Sequence, residues 1–316
     1  MEPTARQYKA SREAAPATAG LRSLLVPTDL TPGSDRVLGR VALLPLADDA
    51  RVTLLHVVPG SLPAVEQRKA QRDANMSLAD EARHLRKQLR NKVTVEAMVK
   101  AGAAAREIAA CATEVNADLI VMGRGGGRAL RDAFLGSTAE RVVRQARLPV
   151  LVVRLPPREA YRRPSLAVEL DQAAHEVVRV ALLVLPPPRP RIEVIHAFDM
   201  PFHGLIYPSL SEDEIEERKD ELRFSATHEL AKLLAAALEK ANVRSEEGPL
   251  WRTHVRYGSP RTIVEKALKK SDTDLLVLGT HGYSGAAYVF LGTVAGDLLR
   301  AARCDVLVVP PAAPDE

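Results

Sequence analysis

The chain is 316 residues long, 46% hydrophobic, 27% charged and net +4; at roughly 150 residues per domain, that predicts two soluble globular domains. No apolar run approaches the roughly 18–20 residues of a membrane span, and the N-terminal MEPTARQYKASREAAPATAG has no apolar stretch to read as a secretory signal. Two cysteines without a CxxC pair, Cys111 and Cys304, argue against a disulfide scaffold or a four-thiolate zinc site, so a cytoplasmic protein is expected.

In chain order, residues 1–20 read as a disordered tail. A Leu- and Val-rich run over 22–27 predicts a buried strand, and 37–46 has helical spacing. A strand follows over 51–58, a long charged helix over 64–90, a strand over 93–100 and a helix over 103–115. The first half closes with a strand over 118–122, a helix over 136–146 and a strand over 150–154. A linker over 156–164 carries Pro156, Pro157 and Pro164, which resist regular structure. Strands separated by helices of ten or more residues imply parallel βαβ units. The runs LIVMG and LLVLG are apolar throughout, as in strands covered on both faces.

The second half then repeats the first. Residues from Asp29 align without a gap with those from Glu169, at an offset of 140. VKAGAAAREIAACATEVNADLIVMGRGGG aligns with VRYGSPRTIVEKALKKSDTDLLVLGTHGY at an offset of 156, so repeat two holds 16 extra residues between these blocks. They fall near FDMPFHGLIYPSLSEDEIEERKDELRF, where Ser211 starts a capping-box pattern and the preceding loop reads as a surface loop or a lid. The expected architecture is α/β: two tandem, doubly wound, parallel five-stranded sheets, with repeat one over 21–155, repeat two over 165–311 and a short tail over 312–316.

Charge is unevenly shared. Residues 1–154 carry 24 Lys+Arg against 16 Asp+Glu, and residues 155–316 carry 20 against 24. A basic half attracts anions, although arginines on solvated helix faces give the same count. Aromatics are only 4%, so stacking platforms for single-stranded nucleic acid are not expected; nor is a membrane.

The informative motif follows the fourth strand of each repeat. Met122-Gly123-Arg124-Gly125-Gly126 leads, nine residues after Gly126, to Gly136-Ser137-Thr138. Leu278-Gly279-Thr280-His281-Gly282 leads, nine residues after Gly282, to Gly292-Thr293-Val294. Both fit G-x2-G-x9-G-[S/T]. Glycines after a strand let backbone N–H groups approach an anion, and the final Gly-Ser or Gly-Thr falls where free N–H groups and the helix dipole favour phosphate. A tight strand–helix turn is the other reading of each loop. Neither a Walker loop nor a GxGxxG fingerprint is present. At the end of the first strand, Asp29 is placed either to accept a hydrogen bond from a ribose or adenine group or to cap the next helix.

These residues resemble universal stress proteins, as a tandem of two UspA-like domains covering about Leu21 to Pro310. The resemblance rests on LLVPTDLTPGSDRVL, VTLLHVV, ADLIVMGRGGG and FLGSTAERVVRQARLPVLVV, with their second-half counterparts TDLLVLGTHGYSG and FLGTVAGDLLRAARCDVLVV. It implies a Rossmann-like fold of the adenine nucleotide alpha hydrolase kind and a non-covalently bound ATP or AMP, with Mg²⁺ as a companion of ATP. By that match Pro27, Thr28, Asp29 and the backbone at Val57 surround adenine and ribose. Met122, Gly123, Gly126, Gly136, Ser137 and Thr138 hold ribose and phosphates. In repeat two the counterparts are Glu169, Gly279, Gly282, Gly292, Thr293 and Val294. Repeat two departs from the pattern with Glu169 for aspartate and Ala167 for proline; repeat one departs with Arg124, Gly125 and Arg128. Repeat one is therefore expected to be the better site. The resemblance also implies that the last strand of each repeat pairs with the other in an intramolecular pseudo-dimer, with homodimerisation left open.

No catalytic residue and no metal-ligand motif can be assembled from spacing. His56 and His196, at equivalent positions, read as packed or backbone-bonded, and both cysteines as buried packing residues. The expected function is a regulatory protein that binds adenine nucleotide without substantial turnover. The alternatives are a slow ATPase or adenylyl-transfer enzyme using the same pocket, or a nucleotide-free interaction module.

Overall fold

The computed structural model describes residues 20–89, 92–125, 136–199, 211–280 and 291–312. Repeat one runs β1 (Leu21–Pro27), α1 (Ser34–Val41), β2 (Leu46–Pro59), α2 (Ala64–Gln88), β3 (Thr94–Gly102), α3 (Ala104–Glu114), β4 (Leu119–Gly123), α4 (Ser137–Gln145) and β5 (Val150–Val153). Repeat two runs β6 (Pro164–Ala167), α5 (Ala173–Val184), β7 (Ile192–Phe198), α6 (Glu212–Lys240), β8 (Trp251–Tyr257), α7 (Pro260–Ser271), β9 (Leu275–Gly279), α8 (Thr293–Ala301) and β10 (Asp305–Val309).

The two expected sheets are joined into one by the pairing of their last strands that the resemblance implies. Ten strands lie in the order β3-β2-β1-β4-β5-β10-β9-β6-β7-β8. Every neighbouring pair is parallel except β5 and β10, which run antiparallel with Val150 opposite Val308 and Val152 opposite Val306. Each edge would otherwise present unpaired backbone groups, so joining removes both. The apolar layers on the two faces are also continuous across the join. One gathers α1, α2, α5 and α6; the other gathers α3, α4, α7 and α8.

The helix expected over 37–46 is a correction. It ends at Val41, and β2 begins at Leu46, five residues before the expected strand. Pro45 explains this, because it cannot donate a helical hydrogen bond and forces the residue before it towards extended backbone. The linker ends one residue early, with Pro164 opening β6, a strand position that proline tolerates. The capping box at Ser211 is formed: its hydroxyl accepts from Glu214 N at 3.3 Å, and its own N–H donates to Glu214 Oε2 at 2.7 Å. The residues before it, 200–210, lie outside the described residues. The buried stripes of the long helices, Ala74, Leu78, Ala82 and Leu85 in α2 and Ala226, Leu230, Leu234 and Ala237 in α6, match at an offset of 152. Twelve of the 16 extra residues therefore precede the stripe of α6 and four follow it. Among the described residues no helix is long and apolar enough to cross a membrane.

The join is locked by a buried charge. Asp305 at the start of β10 is fully buried. Its Oδ1 accepts the backbone N–H of Arg154 at 2.6 Å and of Leu155 at 2.8 Å; its Oδ2 accepts the Tyr161 hydroxyl at 2.7 Å. Arg40 Nε lies 3.3 Å from the same Oδ2, and its guanidinium stacks 4.0 Å from the centre of the Tyr161 ring. Arg154 donates to the carbonyls of Leu299 and Ala302, at the C-terminal end of α8, where a cation complements the helix dipole. The linker is thus packed rather than loose. At Gly39 a Cβ would lie 2.6 Å from Pro157 Cγ, so only glycine lets α1 approach it. The lock is not symmetric: at the 156-residue offset, Pro149 stands where repeat two has Asp305, and Pro310 stands where repeat one has Arg154.

Asp305→Ala is expected to strand the Arg40 charge and three donors in the interior and to cost about 3–5 kcal/mol of stability. Chemical denaturation followed by circular dichroism measures this; a loss under about 1 kcal/mol contradicts the lock. Asp305→Asn keeps an acceptor at Oδ1 and is expected to lose less.

Candidate functional site

In an open, doubly wound sheet, ligands bind outside the carboxyl ends of the strands where the strand order reverses. Here those points lie between β1 and β4 and between β6 and β9. Apolar runs place the strands there, and the residues just after each run carry the polar groups.

At β1, Pro27 is half-buried, and Thr28 N donates to Leu55 O at 2.9 Å. The Thr28 hydroxyl bonds Ser34 Oγ at 2.7 Å and accepts from Leu30 N at 3.1 Å. Asp29 is exposed and its Oδ1 serves the turn, accepting Thr31 N at 3.2 Å and Thr31 Oγ1 at 2.7 Å. It does not cap α1, whose N-cap is Gly33, without a side-chain bond. In repeat two the turn before α5 is held by Asp171, opposite Thr31: the Asp171 Oδ1 accepts Ala174 N at 3.1 Å, while the N-cap, Gln172, makes no side-chain bond. Glu169 takes the Asp29 position. Burial raises the pKa of its carboxyl, with nearby Asp171 adding and His196 opposing.

The glycine loops close alike. Gly136 N donates to Arg124 O at 2.7 Å, and Gly292 N to Thr280 O at 2.8 Å. Gly125 has φ +66°, a left-handed conformation that favours glycine. Gly136 and Gly292 are extended N-caps, and neither α4 nor α8 has a side-chain cap. Their first N–H groups are therefore open to an anion. Ser137 and Thr293 are exposed on those first turns, with Thr138 and Val294 behind them. Glu140 in the first turn of α4 is bridged by Arg144 and, across the join, by Arg300, each at 3.0 Å. Gly126, Gly282 and Arg128 lie outside the described residues.

In repeat two these elements surround a cavity of about 560 Å³, a volume usual for small-molecule sites. Of the expected site residues it brings together Glu169, Gly279, Gly292, Thr293 and Val294. Val168, Ala174, Val177, Ile195 and Leu278 give it apolar walls. Ala197, the counterpart of half-buried Val57, and Leu278, the counterpart of buried Met122, both line it.

The Universal stress protein family model matches residues 20–154 and again 161–310. The chain belongs to the universal stress protein family. A universal stress protein of Mycobacterium tuberculosis is 30% identical over 200 residues, 61% of each chain; the chain thus spans about three fifths of that relative's length. A universal stress protein of Synechocystis is 26% identical over 161 residues, 47% of this chain and 97% of that one. The crystal structure of a universal stress protein from Archaeoglobus fulgidus superposes with a TM-score of 0.64 at 17% identity, covering 93% of this chain and 97% of that one. That likeness shows the same tandem fold.

Several residues that hold this universal stress protein's strand starts or lie beside its site were not singled out in the sequence. Asp118 Oδ2 accepts Arg22 N and Ser23 N at 2.8 Å, and Asp274 takes Arg162 N and Arg163 N at 2.7 and 3.0 Å. They anchor the starts of β1 and β6 at equivalent positions, and the matched Asp before each LIVM or LLVL run was their signal. Burial raises the pKa of the Glu81 carboxyl on α2; nearby Thr28 opposes this, and Asp35 and Asp29 add to it. Its Oε2 is buried without a hydrogen bond. His56 and His196 are backbone-bonded as expected, with Nδ1 at 2.9 Å from Thr28 O and 3.0 Å from Val168 O. Both cysteines are buried, and burial pushes the Cys304 thiol up to about 12, which makes it a poor nucleophile.

Glu169 is held more protonated in the fold than in the unfolded chain. Its favourable contribution is complete below the unfolded pKa and is lost as pH rises through the folded one. Glu169→Gln is therefore expected to raise the Tm at pH 7, with the gain shrinking as pH falls below about 4. Calorimetry at the two pH values checks this; an equal gain at both contradicts it.

Proposed function

We propose that this universal stress protein is a cytoplasmic regulatory protein that binds adenine nucleotide, ATP or AMP, at the carboxyl ends of its strands without substantial turnover. The observation that carries this reading is the bond that closes each glycine loop, Gly136 to Arg124 and Gly292 to Thr280, in front of an uncapped helix. In both repeats it turns the first N–H groups of a helix towards the strand ends. Phosphate is the anion that such a cradle suits, through free N–H groups, the helix dipole and a Ser137 or Thr293 hydroxyl.

The other end of each site suits a nucleoside. Apolar walls such as Val168, Val177 and Ile195 fit a base, and a carboxylate at Asp29 or Glu169 accepts from a ribose hydroxyl or an adenine amine. Catalysis asks for a nucleophile with a base in reach. The cavity histidine, His196, has its Nδ1 committed to Val168 O. Occupancy of the sites would itself be the regulatory signal. ATP would bring Mg²⁺ with it as a companion of its phosphates.

The test is to denature the purified chain, identify any released small molecule by mass spectrometry, and titrate the refolded, ligand-free protein with ATP. Adenine nucleotide near one or two per chain is expected, with no hydrolysis above buffer. Absence of nucleotide together with no thermal shift on adding ATP overturns the reading. Asp29→Ala is expected to weaken binding at repeat one about 5- to 100-fold by removing one hydrogen bond to the ligand; unchanged affinity there removes Asp29 from the site.

A further inference from the structure

Asp29 and Glu169 hold equivalent positions after the first strand of each repeat, yet their oxygens are not equally committed. Asp29 Oδ1 takes three donors from its own turn: Thr31 N at 3.2 Å, Thr31 Oγ1 at 2.7 Å and Ser34 Oγ at 3.4 Å. That leaves Oδ2 for a ligand. In repeat two the positions of Thr31 and Ser34 are filled by Asp171 and Ala174, which have no hydroxyl to donate. The turn is held instead by Asp171 Oδ1, on Ala174 N at 3.1 Å. Glu169 is half-buried on the cavity wall and accepts no hydrogen bond from any described residue. The ionisable groups that bear on it are His196, whose Nδ1 is on Val168 O, and Asp171.

A carboxylate with both oxygens unspent accepts two donors side by side. When only one donor arrives, the second oxygen loses water without gaining a partner, which costs binding energy. The vicinal 2′- and 3′-hydroxyls of ribose are a matched pair of donors; the single nitrogen of an adenine amine is not. With phosphate at the α8 N-terminus, where Gly292 and Thr293 line the same cavity, the sugar comes between phosphate and base. Resting on the nucleotide reading above, we infer that repeat two selects for the intact ribose diol: Glu169 receives both hydroxyls, one on each oxygen, so this cavity takes ribonucleotides and rejects their 2′-deoxy and 3′-deoxy forms. A site built to hydrogen-bond a ligand hydroxyl rejects the analogue that lacks it. Repeat one has a single Asp29 oxygen to offer, receives one hydroxyl there and is the more tolerant site.

The full chain is photolabelled with azido-AMP in the presence of increasing AMP, 2′-deoxy-AMP, 3′-deoxy-AMP or GMP, and the labelled peptides are assigned to repeat one or repeat two by mass spectrometry. At repeat two, each deoxy analogue is expected to need a concentration about tenfold or more above that of AMP to halve the labelling. At repeat one, at least one of the two analogues is expected to compete within about threefold of AMP, because one oxygen serves one hydroxyl. Glu169→Gln keeps the size of the side chain but turns one acceptor into a donor; it is expected to bring at least one deoxy penalty at repeat two below about threefold. Deoxy analogues that compete as well as AMP at repeat two, penalties unmoved by Glu169→Gln, or labelling confined to repeat one each overturn the diol selectivity while leaving nucleotide binding intact. Stronger competition by GMP than by AMP at repeat two also overturns it, by assigning the two oxygens to the paired N–H donors of a guanine edge. No labelling of either repeat by azido-AMP or azido-ATP overturns the nucleotide reading itself.

Discussion

The structure depends on one antiparallel contact. Val150–Val152 of β5 and Val306–Val308 of β10 join two parallel half-sheets into one, and Asp305 fixes the end of that contact. A buried carboxylate is costly to desolvate and is tolerated only when fully bonded. Asp305 has two backbone N–H groups, a tyrosine hydroxyl and an arginine around it. Those partners come from α1, the two residues after β5 and the linker, so the lock forms only when repeat one, repeat two and the linker are assembled together. Because Pro149 and Pro310 occupy the equivalent positions, a repeat-one edge cannot reproduce the lock with another repeat-one edge. The chain is built to pair its unlike halves.

Much of the fold was legible because its signals are local. Apolar runs such as LIVMG, the charged 25-residue helix and the gapless offset of 140 report elements and duplication directly. The early end of α1 was legible too, had Pro45 been weighed above the apolar spacing of Leu43, Leu44 and Leu46. The single sheet was not written in any one segment. VLVV and DVLVV describe buried strands, but their mutual direction is set by partners more than 140 residues apart.

The site divides the same way. Glycine spacing marked both loops, and the donor that closes each, Gly136 or Gly292, is a glycine of that spacing. The division of labour around the carboxylates was not visible. Asp29 spends an oxygen on its own turn, whereas in repeat two Asp171 takes the local bond and leaves Glu169 to line the cavity. Glu81 was hidden because one more acid in a charge-rich helix looks like solvated surface. Only the packing of α2 brings it to Thr28. Asp118 and Asp274 were visible as a matched pair, yet their task of holding strand starts becomes clear only from bonds spanning more than 90 residues.

The reversal of direction between β5 and β10 also fixes where the loops open. All strands of repeat one point their carboxyl ends to one margin of the sheet, and all strands of repeat two point theirs to the opposite margin. The two mouths therefore face away from each other, like the ends of a barbell. The body of the protein lies between them. A single flat partner surface cannot cover both mouths at once. A surface that covers one mouth leaves the other open, so the two ends of the sheet are geometrically independent.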